Sequence, residues 1–165
     1  MGRTGDVGDE NGSRILAARL VQYLMRLGFL IERHYAPYSK WFGSGFMRLD
    51  CSRKLTPIFN QALAAPDWQE RQRYLSQAYE ILAEMHNALN ITPALDTHVS
   101  SFYGRPYLVI HGERFSEALI KEVQSDEVRR LPPNIGSINQ FVDSIDLADK
   151  VELCRRLKNL YFNGA

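Results

Sequence analysis

The densest grouping of chemically capable side chains in this sequence runs Glu32-Arg33-His34-Tyr35-Ala36-Pro37-Tyr38-Ser39-Lys40-Trp41-Phe42-Gly43. Aromatic faces stack on a base or ring, and cations pair with phosphate. Glu32, Arg33, Tyr35, Tyr38, Lys40 and Trp41 are therefore the expected contacts of a small-molecule or nucleotide ligand, in a segment expected to border a polar pocket. The competing reading is a packed helix corner whose cations snorkel to water.

A second candidate is Arg105-Pro106-Tyr107-Leu108-Val109-Ile110-His111. An Arg followed a few residues later by a His resembles the signature of helical ribonuclease domains that accompany nucleotidyltransferases. That chemistry needs both side chains on one helix, facing a phosphodiester, with the imidazole as acid or base. Pro106 disrupts a helix beyond its first turn, and the β-branched run prefers extended chain. The ribonuclease arrangement is therefore not expected, and Arg105 and His111 stay as ligand contacts.

Other chemistries fail on spacing. His34, His86, His98 and His111 show no H-x-x-x-H and no H-E-x-x-H, so no metal site is expected. His86, between Leu82 and Leu89, reads as a hydrogen-bonded residue near the core. A nucleotidyltransferase holds phosphates with Gly-Ser and Mg²⁺ with two carboxylates one residue apart on a strand. Gly136-Ser137 is followed by Asp143-Ser144-Ile145-Asp146, whose acids are wrongly spaced. Gly43-Ser44 is followed by Asp50-Cys51-Ser52, which lacks the second acid. There is no Walker loop, G-x-S-x-G or Rossmann fingerprint, and no cofactor is expected.

The elements that position these residues are helical. The 165 residues, 45% hydrophobic and 24% charged, suit one domain with a real core. A net charge of +1 argues against general nucleic-acid binding. Cys51 and Cys154 are far apart and read as reduced thiols. The Gly- and Asp-rich start carries no signal-peptide pattern, and no apolar run is long enough for a membrane span, so a cytoplasmic location is expected.

Residues 1–12 are expected to be flexible, followed by a single helical domain over 13–165. Leu16, Leu20, Leu24, Leu27 and Ile31, in a stripe widened by Val21, Met25 and Phe29, mark a helix over 13–35, with Arg19, Gln22, Arg26 and Arg33 on another face. Further helices are expected over 55–65, from an Asp67 cap to Asn90, over 115–123, near 138–145, and from Asp146 or Asp149 to Phe162. Tyr107–Ile110 could be a strand, but no partner strand is visible. The expected fold is all-α, an irregular bundle of five to seven helices with an extended excursion over 91–112.

Several segments are similar to a known family. They are Gly8-Asp9-Glu10, Gly12-Ser13-Arg14, Ala17-Ala18-Arg19-Leu20-Val21, Tyr35 to Gly43, Phe102-Tyr103-Gly104-Arg105-Pro106, and Ile135 to Phe141. Together they resemble an uncharacterised bacterial domain of unknown function, DUF4037. The resemblance implies a helical C-terminal half that packs beside a nucleotidyltransferase-like domain and helps shape its acceptor site. It implies docking or substrate binding rather than catalysis, with that domain or a second copy as partner. The alternatives are a stand-alone enzyme acting on a nucleotide or RNA, and a structural or dimerisation module.

Because the paired acids are missing, the purified chain should transfer no nucleotide. Incubation with labelled ATP and Mg²⁺ should leave no AMP incorporated. Robust incorporation abolished by substituting Asp143 would overturn this.

Overall fold

The computed structural model of the chain describes residues 1–132, 150–157 and 159. It is mostly helical, and the all-α irregular bundle expected from sequence is what it shows. Eight helices occur among the described residues: α1 (Gly2–Asp6), α2 (Glu10–Ile31), α3 (Ser39–Phe46), α4 (Ser52–Ala64), α5 (Trp68–Ala88), α6 (Glu113–Lys121), α7 (Asp126–Arg129) and α8 (Val151–Leu157). The excess over five to seven comes from pieces such as α1 and α7, too short for periodicity to reveal.

The chain divides into two compact units, Met1–Ala118 and Leu119–Ala165, where sequence suggests one domain. The second contains α7 and α8. The helix expected near 138–145, the start of the last expected helix, Gly136-Ser137 and Asp143–Asp146 all lie outside the described residues.

In the first unit, residues 1–12 contain α1 and the start of α2. Helix α1 lies so close to α5 that a Cβ on Gly5 would sit 2.4 Å from Trp68. Asp9 then caps α2, its carboxylate accepting the Gly12 N–H at 2.8 Å. Asp67 caps α5 in the same way, through the Glu70 N–H at 2.8 Å.

Helix α2 stops at Ile31, before the expected Tyr35. His34 N–H reaches back to the Phe29 carbonyl and Arg33 N–H to that of Leu30. This is a Schellman closure, and Arg33 occupies its left-handed position at φ +58. Helix α4 begins at Ser52, earlier than expected, so Pro57 lies inside it and removes one helical hydrogen bond.

The core is built from α2, α3, α4 and α5. Ala17, Val21 and Leu24 of α2 meet Leu55, Phe59 and Ala62 of α4 and Leu75, Ala78 and Leu82 of α5. Phe29, Phe42, Phe46 and Phe59 form a continuous chain of tilted and edge-on rings, with centroids 5.6, 6.1 and 5.8 Å apart. Gly28 permits this approach, since a Cβ there would meet Phe46 at 3.1 Å and Cys51 Sγ at 3.2 Å.

The expected stripe on α2 is largely what the helix buries, with Val21, Leu24 and Phe29 inside and Leu20, Met25 and Ile31 packed against the core. Leu27 is exposed instead, and the inward positions also include Ser13 and Ala17. The outward face mixes Ile15, Tyr23, Leu27 and Leu30 with Arg19. Arg26 lies over the Phe42 ring at 5.4 Å.

The excursion over 91–112 contains a hairpin. Strand β1 (Ser100–Ser101) pairs antiparallel with β2 (Leu108–Val109), Ser100 opposite Val109. Sequence could not reveal β1, because two serines carry no alternating apolar pattern. Its flanks are tied to α5: Val99 N–H donates to Glu80 and Leu108 N–H to Gln72.

One buried cation organises the first unit. Arg71 of α5 is fully buried. It donates to Ser13 Oγ at 2.7 Å, to the Ala65 carbonyl at 3.1 Å, and to the Glu10 carboxylate. Removing it should cost about 3 kcal/mol, because the groups it satisfies would be left inside the helix junction. Arg71→Lys should not recover this, since an ammonium lacks the planar fork that reaches all three oxygens. Urea denaturation of wild type, Arg71→Ala and Arg71→Lys would check both statements; an Arg71→Ala protein as stable as wild type would contradict them.

Candidate functional site

The Tyr35–Trp41 corner exists, but its residues do separate jobs. Tyr35 is fully exposed, and Tyr38 and Trp41 are about half exposed. Tyr38 occupies the N-cap position of α3 with extended backbone. Lys40 Nζ lies 5.7 Å from the Trp41 ring centroid, a surface cation–π pair. Arg33 is exposed in its left-handed position.

Glu32 is committed to structure. Its carboxylate accepts the Asp50 N–H at 2.9 Å and the Cys51 N–H at 2.8 Å, just ahead of α4. It thereby joins the end of α2 to the start of α4 and compensates the positive end of that helix. Partial burial pushes its carboxyl up, but the Cys51 and Asp50 hydrogen bonds win and hold it below the ordinary range. The same contact acts oppositely on Cys51. Burial first, then the hydrogen bond and charge of Glu32, push this thiol up to about 12.

A cleft of about 620 Å³ lies elsewhere in the first unit. It is walled by Leu20 of α2, Tyr79 of α5, Phe102 and Tyr103, and Leu108 to Glu113. Burial pushes the Tyr79 hydroxyl up to about 12, so it remains a neutral phenol. Of the expected ligand contacts, His111 lines this cleft, and Glu32, Arg33, Tyr35, Tyr38, Lys40, Trp41 and Arg105 do not. Arg105 stands in the hairpin turn, its guanidinium 5.9 Å from the Phe102 ring centroid. Arg105 and His111 therefore share no helix, as Pro106 suggested.

His111 adopts φ +52, just after β2. Its Nε2 lies 2.9 Å from Ser100 Oγ and its Nδ1 3.3 Å from Glu113 Oε1. Sequence reasoning missed Ser100 and Glu113. The signal for Ser100 is its register opposite Val109, available only once the hairpin is paired. Glu113 could have been noticed as a carboxylate two residues after an imidazole.

His86 is half-buried, its Nδ1 3.5 Å from Asn87 Oδ1 and its ring edge-on to Phe115 at 5.1 Å. Among the described residues, no group of three or more His, Cys, Asp or Glu side chains could hold a metal ion. No helix among them is long and apolar enough to cross a membrane.

Residues 1–42 match the family model of a domain of unknown function, DUF4037. The match supports a DUF4037-like domain over those residues. It spans α1, α2 and the aromatic corner, and stops short of the hairpin and its cleft. No curated protein and no solved structure matches the chain.

The Glu32 junction makes a measurable claim. Glu32→Ala should cost about 1–3 kcal/mol, the worth of charge-assisted hydrogen bonds to N–H groups. Because its folded pKa is depressed, the stabilisation is present above the ordinary carboxylate range and is lost as pH falls through the folded value. The gap between wild type and variant in urea titrations should therefore narrow at acid pH. Cys51 should also resist iodoacetamide at neutral pH until the chain unfolds; rapid native alkylation would contradict the buried junction.

Proposed function

We propose that this DUF4037-like chain is a docking domain, without nucleotidyl transfer of its own, that packs beside a nucleotidyltransferase-like domain. The observation that carries the reading is the outward face of α2, where Ile15, Tyr23, Leu27 and Leu30 are exposed around Arg19. Large apolar groups repeated along one helix face, with a cation among them, suit an apolar contact whose encounter is steered by acidic residues. The family match covers the whole of this helix. The exposed rings of Tyr35, Tyr38 and Trp41 follow directly in the chain and would extend the same surface toward the partner's substrate.

In this reading the partner supplies the phosphate-holding and metal-holding groups, and this chain supplies surface and shape. A second copy of the chain is the other occupant the same face would accept. Light scattering on the purified chain, alone and mixed with a nucleotidyltransferase-like protein from the same genome, should give a complex or a dimer. Leu27→Asp combined with Leu30→Asp should abolish it without altering the circular dichroism spectrum. A strict monomer at high concentration that ignores such partners would sink the docking reading.

A further inference from the structure

The hairpin assembles three side chains that are separated in sequence. Ser100 lies opposite Val109, so His111, two residues further on, falls diagonally across the same face. The resulting chain of contacts runs from Ser100 Oγ to His111 Nε2 at 2.9 Å, and from His111 Nδ1 to Glu113 Oε1 at 3.3 Å. A carboxylate beside Nδ1 selects the tautomer that carries its proton there. Nδ1–H then donates to Glu113, and Nε2 is left to accept from the Ser100 hydroxyl. Nucleophile, base and orienting carboxylate stand in the order that activates a hydroxyl for covalent catalysis.

The surroundings favour an uncharged substrate. His111 and Glu113 line the 620 Å³ cleft, whose other walls include Leu20, Tyr79, Phe102, Leu108 and Ile110. Among the described residues no Lys or Arg lines it, so a phosphate would find no cation from them there. The imidazole is only 29% exposed while Glu113 is 67% exposed, so the base is the more sheltered of the two, and Ser100, exposed and outside the cleft's lining, meets the cleft through His111. The left-handed backbone at His111 is the kind of local strain that holds a functional side chain in place.

We propose that Ser100, His111 and Glu113 form a nucleophilic site that takes an acyl group from an apolar, uncharged ester seated in this cleft. Ser100 Oγ attacks the ester carbonyl carbon while His111 Nε2 takes the hydroxyl proton. The ester C–O bond breaks, and the departing alkoxide receives that proton from His111. Water, deprotonated by the same nitrogen, then attacks the acyl-serine, releasing the carboxylic acid and restoring Ser100. Glu113 acts through His111 and is a positioning residue. The activity is separate from the docking reading, since no residue exposed on the outward face of α2 takes part.

The test uses the full chain with two probes, an alkyl fluorophosphonate and p-nitrophenyl butyrate. The fluorophosphonate should form one adduct on Ser100 with loss of fluoride, located by peptide mass spectrometry. Ester turnover should fall about 10²–10⁴-fold in Ser100→Ala and His111→Asn. Asn tolerates the left-handed backbone, so the second variant removes the base while keeping the turn. Glu113→Gln should lower kcat with little change in KM, and Glu113→Asp should restore part of it. An unlabelled Ser100, or a Ser100→Ala protein that hydrolyses the ester as fast as wild type, would overturn the proposal. Should Ser100→Ala fail to fold, labelling of wild-type Ser100 decides alone.

Discussion

The first unit depends on satisfying one buried guanidinium. A charge with no water around it demands several oxygens in fixed places, and Arg71 takes three of them from two other parts of the chain. Ser13 and Glu10 come from the first turn of α2, and the Ala65 carbonyl from the end of α4. Glu10 also accepts from Arg14 at 3.0 Å, which extends the junction to the surface. Desolvation by burial pushes against it, but the hydrogen bond from Arg71, backed by Arg14, holds the Glu10 carboxyl below the ordinary range. That sets the rotation of α2. With Ser13 turned inward, Ala17 and Leu24 follow by helical spacing, while Ile15, Tyr23, Leu27 and Leu30 are carried to the outside. The apolar surface left on the outside of α2 is thus a consequence of how a cation was buried.

At the other end of α2 a charge performs a similar service with opposite sign. Glu32 receives the N–H groups of Asp50 and Cys51 before α4, and the Schellman turn at Arg33 ends α2 at the place where this contact forms. The chain then has a short free stretch in which Tyr35 and Tyr38 stay exposed before α3 begins at Ser39. The two charged junctions hold α2 at both ends, and the apolar core fills the space between. Residues chosen for their chemistry can therefore be structural. Glu32 has the right type for ligand binding and spends both carboxylate oxygens on backbone.

The hairpin shows the converse. Ser100 and Glu113 attract no notice in sequence, yet pairing two short strands and tying them to Gln72 and Glu80 of α5 sets both beside His111. The docking reading uses the face that the family match covers. The nucleophilic reading uses a cleft whose hairpin lies beyond that match. A domain can hold both, because helix faces and hairpin ends are built by different contacts.

Much was legible in the sequence. Apolar spacing and the Asp67 cap identify α5, the stripe identifies α2, and Pro106 correctly argues against a helix joining Arg105 to His111. These properties are local, decided by 3.6-residue periodicity, capping and proline geometry within a turn or two. The tertiary structure decided what α2 buries, that Glu32 closes a helix junction, that Leu27 faces water, and that Ser100 meets His111. Each of these depends on partners distant in the chain. A side chain's environment is set by the desolvation and hydrogen-bond demands of whatever packs against it, and no local pattern carries that information.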